Sequence, residues 1–325
     1  MTSKNTTDPT AVRRLDVVVV GAGFGGMYAV YKFNQMGLKI QGFEAGSNVG
    51  GVWFWNRYPG ARVDLPSIDY SFGFSHEVEQ EWTWSEQFAA QPELLRYINF
   101  VADRLDLRRH IQFNTRVTSA EWNEGRQVWV VQTDKGEVLE ATYCVMATGP
   151  LSIPRDPDIP GISSFKGELY RAARWPHEPV SYAGKRVGVI GTGSSGVQAI
   201  PLIAAQAEQL TVFQRTANYS IPAANAPVSD EEDAAIKARY GERQRTRLMW
   251  ACERGSVQRA AQLLDWKSDI EARDAEGNTP LHIARPRATA RSCASSCAEA
   301  PRSTLSTSAV IRHCMLRVIA AATDH

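Results

Sequence analysis

Two glycine-rich stretches carry the residues best suited to chemistry. They are Gly21-Ala22-Gly23-Phe24-Gly25-Gly26 and Gly191-Thr192-Gly193-Ser194-Ser195-Gly196. Each has glycine at its first, third and sixth positions. Between a strand and a helix, such spacing leaves backbone N–H groups open to a pyrophosphate. In the first stretch Gly21 allows the tight turn, Gly23 the close approach of phosphate, and Gly26 the packing of helix on sheet. Glu44 lies 18 residues beyond Gly26, where a carboxylate can accept hydrogen bonds from a ribose. At the same offset from Gly196 stands Gln214, followed by Arg215 and Thr216. A cation and a hydroxyl in place of the acid suit a 2′-phosphate. The first stretch therefore reads as an ADP-ribose-type site such as that of FAD. The second reads as an NADP(H) site that uses Gly191, Thr192, Gly193, Ser194, Ser195, Gly196, Arg215 and Thr216. Two such sites in one chain imply hydride passing between two cofactors, with the protein positioning them.

The elements that must hold these residues are legible around them. Leu15–Val20 is a short β-branched run of the kind buried in a parallel sheet. A helix is expected from Met27 to Met36, closed by Gly37, and a second strand from Leu38 to Glu44. The second copy repeats the order: a strand over Lys185–Ile190, a helix over Val197–Ala207 and a strand over Leu210–Phe213. The fold class is α/β, with two Rossmann-like dinucleotide-binding domains, the second of them partial. Residues 225–265 turn helical and charged, and residues 286–325 show no hydrophobic period.

Composition excludes several classes. With 36 Lys+Arg against 35 Asp+Glu in 325 residues, no global field draws in nucleic acid or an anionic membrane. No apolar run approaches the roughly 20 residues of a membrane helix, and the first ten residues are polar. Five cysteines, an odd and small number, point to a reducing compartment, and the cytoplasm is expected. No metal site is expected.

The pattern of residues 12–245 resembles the FAD/NADP-dependent Baeyer–Villiger monooxygenases. The resemblance rests on Gly50-Gly51-Val52-Trp53-Phe54-Trp55-Asn56-Arg57-Tyr58-Pro59-Gly60-Ala61-Arg62-Val63-Asp64, on the return loop Ala147-Thr148-Gly149-Pro150 and on Phe213 to Tyr219. Its most specific element, Phe165 to Pro176, is similar to the fingerprint FxGxxxHTxxWP. The resemblance implies that NADPH reduces FAD, that O2 forms a flavin C4a-peroxide, and that a ketone becomes an ester or lactone. It also implies that Gly51, Trp53, Asp64 and Tyr70 lie at the flavin. Asp64 would be a carboxylate beside the isoalloxazine and a candidate catalytic residue. Arg171-Ala172 replaces the fingerprint His-Thr, which makes Arg171 the second candidate at the link between the cofactor domains. An arginine is permanently charged and cannot accept a hydrogen bond, so looser coupling of NADPH use to oxygenation is expected. An amine- or sulfide-oxidising flavin monooxygenase is the alternative within enzymes.

Beyond about residue 245 the resemblance stops. The family's later segment, with an active-site arginine and the strands that complete both sheets, finds no counterpart. The chain is expected to be about 245 residues of a longer monooxygenase followed by roughly 80 of other origin. Thr246-Arg247-Leu248 and Thr279-Pro280-Leu281-His282 are spaced by 33 residues, an ankyrin period. One repeat and the opening of a second would occupy 246–285. An inactive fusion that binds a protein partner through this segment is the reading from outside enzymes. The remaining tail, 286–325, reads as a disordered extension, a metal-binding segment through Cys293, Cys297, His313 and Cys314, or frame-shifted sequence. The expected divisions are a flexible 1–11, an FAD domain at 12–150, a partial NADP domain at 151–245, the ankyrin-like 246–285 and the low-order tail.

Overall fold

A computed structural model describes residues 12–149, 151, 154 and 156–240. The ankyrin-like segment and the tail lie outside the described residues. The chain divides into two compact units: Met1–Asp69 with Glu86–Ala226, and Tyr70–Ser85 with Pro227–His325.

The first unit is built on β1 (Arg13–Val20), whose last four valines are buried. Burial of each valine contributes about 1.5–3 kcal/mol, which is why this strand takes the centre of the sheet. Helix α1 (Phe24–Gln35) packs on it through Gly26, Met27 and Val30, and β2 (Ile40–Phe43) returns parallel to β1, pairing Val20 with Phe43. The short helix α2 (Val52–Trp55) follows. Helix α4 (Gln91–Arg104) buries Leu94, Tyr97, Ile98 and Val101 along one stripe. After it, β3 (Ile111–Gln112) extends the parallel edge beside β2. An antiparallel meander then runs through β4 (Val117–Asn123), β5 (Val128–Thr133) and β6 (Val138–Met146). Strand β6 also pairs parallel with β1, Val20 opposite Met146, so the sheet order is β3-β2-β1-β6-β5-β4. Leu15, Val18, Val20 and Phe43 share a buried cluster with Val131, Leu139 and Ala141.

The second glycine stretch lies in the same unit. It joins β7 (Arg186–Ile190) to α5 (Ser194–Ala204), and β8 (Gln209–Phe213) pairs parallel with β7. Among the described residues this sheet has two strands. Its core is small, formed by Tyr182, Ala199 and Ile203 with half-buried neighbours, while Ile190 is 71% exposed.

In the second unit, α3 (His76–Glu81) is capped by Ser75, whose hydroxyl accepts from Val78 N. Helix α6 (Asp230–Ala238) starts in a capping box of Ser229 and Glu232. Lys237 Nζ donates to Thr83 Oγ1 at 2.9 Å and pairs with Asp233 at 2.7 Å.

Both dinucleotide helices begin three residues earlier than their apolar pattern indicates. Gly23 O accepts from Met27 N and Gly193 O from Val197 N, each at 2.9 Å. The motif residues therefore form the first helical turn, Phe24-Gly25-Gly26 in α1 and Ser194-Ser195-Gly196 in α5. An apolar period registers poorly in turns dominated by glycine and serine.

Candidate functional site

The first site is assembled at the C-terminal end of β1. Gly21 N donates to Phe43 O at 2.8 Å, which fixes the turn against β2. A Cβ on Gly26 would lie 1.8 Å from Gly21 O, so only glycine lets α1 approach the strand this closely. The helix opens at Gly23 with no side-chain cap and no acid in its first turn. Its N-terminal N–H groups and positive partial charge are thus offered to an anion. Gly50 N donates to Ala22 O at 3.0 Å and brings Gly51 onto Gly23. A Cβ on Gly51 would meet Gly23 Cα at 2.8 Å, whereas one on Gly25 would meet nothing within 4 Å. The two loops therefore meet backbone to backbone at Gly23 and Gly51, and open space is left over Gly25 in the first turn of the helix. The return segment closes the turn from behind, with Ala147 O 2.6 Å from where a Gly21 Cβ would be.

Glu44 is 5% exposed. Its Oε2 accepts from Ala22 N and its Oε1 from Gly46 N, both at 2.7 Å. The carboxylate thus ties the glycine turn to the loop after β2. Each oxygen keeps lone-pair capacity for a ribose hydroxyl. Trp53 is buried on α2, and its carbonyl accepts from Gln91 Nε2 of α4 at 2.5 Å. Asp64 is exposed, and Tyr70 ends the 3-10 turn Ser67–Tyr70 and belongs to the second compact unit. The structure brings Gly21, Gly23, Gly26, Glu44 and Gly51 together. Trp53 is anchored beside them by chain connectivity and Gln91.

The second site repeats this backbone. Gly191 N donates to Phe213 O at 2.9 Å, and a Cβ on Gly196 would lie 2.4 Å from Gly191 O. Helix α5 also opens without a side-chain cap or a first-turn acid, and Ser194 and Ser195 are its first two residues. The side chains differ. Gln214 occupies the position of Glu44 and donates from Nε2 to Thr192 Oγ1 at 2.6 Å. Asn218 Nδ2 donates to Thr192 O at 2.9 Å. Arg215 and Thr216 are exposed at the rim of this loop. The bare turn, the uncapped helix and a free-standing cation next to a hydroxyl fit a phosphorylated dinucleotide.

Segment 165–176 carries surface ion pairs. Arg171 precedes the 3-10 turn Ala172–Arg174 and pairs with Asp156, to which Arg174 also reaches at 3.5 Å. Lys185 Nζ donates to Glu168 Oε2 at 2.5 Å, and this bond raises its pKa above the ordinary lysine value. Arg171 thus forms an ion pair with Asp156 fifteen residues before it in the chain. Cys144 on β6 is half-buried, and burial pushes its thiol pKa up, away from a reactive thiolate. Among the described residues no cluster of three His, Cys, Asp or Glu could hold a metal, and no helix is long and apolar enough to cross a membrane.

Sequence reasoning missed Gln91, Gln198 and Asn218, polar side chains that bond backbone or partner atoms distant in sequence. The one available signal was a lone glutamine on the otherwise apolar Val197–Ile203 stretch.

The family model described as Pyridine nucleotide-disulphide oxidoreductase matches residues 18–240. Over 232 residues the chain is 50% identical to the 2-oxo-Delta(3)-4,5,5-trimethylcyclopentenylacetyl-CoA monooxygenase of Pseudomonas putida, covering 70% of this chain and 43% of that protein. It is 48% identical over 226 residues to a Baeyer-Villiger monooxygenase of Pseudooceanicola batsensis, covering 69% and 41%. Among solved structures, that of OTEMO in complex with FAD and NADP superposes with a TM-score of 0.69 at 48% identity, covering 72% of this chain and 45% of that one. The chain belongs to the pyridine nucleotide-disulphide oxidoreductase family, and the relatives it matches include a Baeyer–Villiger monooxygenase. It spans less than half the length of the curated relatives it matches.

Proposed function

We propose that this chain binds FAD at the first glycine turn and NADPH at the second, and serves a Baeyer–Villiger oxygenation of a ketone to an ester or lactone. The carrying observation is the pair of turns with one backbone and opposite side-chain chemistry at the same position, Glu44 in one and Gln214-Arg215-Thr216 in the other. When bound, FAD supplies the chemistry that accepts hydride from NADPH and activates O2.

The protein's own part is to bind and orient. The uncapped first turns of α1 and α5 take the pyrophosphates. Glu44, already fixed by two N–H groups, orients the adenosine ribose of the flavin. Arg215 and Thr216 hold the 2′-phosphate and so select NADPH over NADH. Trp53, Asp64 and Tyr70 are assigned to the flavin ring side, and Arg171 to the link between the two sites. The cytoplasm, the divisions at residues 150 and 245 and a small ketone as substrate belong to the same reading.

The test is the visible spectrum of the purified chain. A yellow protein with one flavin per chain, bleached anaerobically by NADPH far faster than by NADH, supports the reading. A colourless protein that takes up no added FAD sinks it. Conversion of a cyclic ketone, followed by gas chromatography, tests the oxygenation. Hydrogen peroxide release without ester is the expected signature of Arg171 in place of histidine.

A further inference from the structure

Hydride transfer between two dinucleotides requires their loops to be held in register, yet the two glycine turns sit on different sheets of the first unit. A side chain of α5 bonds the segment that follows the first turn. Gln198 lies one turn into α5, four residues beyond Ser194. Its Nε2 donates to Arg62 O at 3.1 Å, and its Oε1 accepts from Arg62 N at 3.4 Å. The amide pairs with main chain on both sides, as a neighbouring strand would. Oε1 also accepts from Tyr58 Oη at 2.9 Å. The backbones meet as well: a Cβ on Gly60 would lie 2.2 Å from Gln198 O. Tyr58 is packed against the small cluster of Tyr182, Ala199 and Ile203. The segment bound in this way follows Gly51 and α2 and ends two residues before Asp64.

We infer that Gln198 is a positioning residue that locks the NADP-side helix to the flavin-side segment 58–62 and so sets the distance between the two cofactor sites. It touches neither glycine turn. The inference rests on the proposed cofactor assignment only for its consequence, hydride transfer. The lock itself is a property of the polypeptide. The bonds go to backbone atoms of Arg62, whose side chain is engaged elsewhere: its Nη1 donates to Phe88 O at 3.3 Å and pairs with Glu86 at 3.6 Å. A glutamine is required because it presents a donor and an acceptor from one planar group.

The test compares the full chain with Gln198→Ala, Gln198→Glu and Tyr58→Phe. Gln198→Glu preserves shape but sets an acceptor against the Arg62 carbonyl. Hydrogen exchange by mass spectrometry, with no cofactor added, reads the lock. Faster exchange over 58–64 in both Gln198 variants, with β1 and α1 unchanged, is the expected result. Exchange equal to that of the parent overturns the lock. Stopped-flow reduction by saturating NADPH reads the consequence. A rate about 10- to 100-fold lower, the scale of an ångström-level misplacement, is expected with flavin content, NADPH affinity and dithionite reduction unchanged. A merely structural role would lower flavin content and affinity together, and that pattern overturns the positioning role. Tyr58→Phe keeps the ring in its cluster and is expected to give the same pattern in weaker form, which preserves the test if Gln198→Ala fails to fold. A parent chain that takes up no flavin defeats the cofactor assignment, and the exchange experiment still decides the lock.

Discussion

The two glycine turns share a backbone and differ in their surroundings. Gly21 and Gly191 each donate to the last residue of the neighbouring strand, and both helices open without a cap. The first turn ends a strand flanked on both sides by parallel neighbours and is closed over by Gly50-Gly51 and Ala147. The second ends a strand in a two-stranded sheet and carries an exposed rim. Burial ties the first turn to the core of its sheet, whereas the second turn stands at a more exposed edge.

The sharpest way to break this contrast is one substitution in both turns. Gly26→Ala drives a Cβ into the Gly21 carbonyl inside a buried core and is expected to cost about 4 kcal/mol or more. Gly196→Ala meets the Gly191 carbonyl less closely, at 2.4 Å, and in a less buried place, and about 2 kcal/mol is expected. Urea unfolding compares them, and equal losses would abolish the distinction. Next in size is the position that distinguishes the sites. Glu44→Gln turns one accepting oxygen into a donor facing a backbone N–H, for about 1.5–3 kcal/mol of stability, while Gln214→Ala at an exposed bond should cost about 0.5 kcal/mol. Thermal melts of the two variants rank them, and the reverse order would refute the division of roles. Arg215→Ala should weaken NADPH binding about 10- to 100-fold with NADH little changed, since one charge-assisted contact contributes about 1.5–3 kcal/mol. Fluorescence titration with both nucleotides checks this, and equal losses for the two would remove Arg215 from the 2′-phosphate.

The smallest effect is a pH dependence of the second cluster. Burial, with a lesser contribution from Tyr170, raises the pKa of Tyr182. The folded protein therefore holds this proton to higher pH than the unfolded chain does. Its contribution is complete below the ordinary tyrosine value of about 10 and is lost as pH rises through the raised folded value. Tyr182→Phe should flatten the alkaline fall in urea stability, and an unchanged slope would assign that fall elsewhere.

Much of this was legible in order along the chain. The strands at Leu15–Val20 and Leu210–Phe213 and the two helices that follow the glycine turns are legible from local apolar runs, and each of these strands was found to within two residues at either end. The different side-chain chemistry of the two turns was readable because it sits in residues at one fixed offset. The helix starts were not, because the glycines and serines that dominate both first turns carry no hydrophobic period. The fingerprint segment was recognisable as a pattern, but its Arg171–Asp156 pair was not, since those residues meet through a loop.

The amino-acid sequence by itself determined the fold class, the two glycine turns and the chemistry at their acidic or basic partners. Those properties are carried by residue type, spacing and the backbone freedom of glycine. Only the tertiary structure decided that Glu44 is buried and spent on two backbone N–H groups, and that Gly51 seals the first turn. It alone decided that Gln198 clasps a segment 136 residues away in sequence. Contacts of that kind depend on how the sheets and helices bring distant backbone together, and no local pattern encodes them.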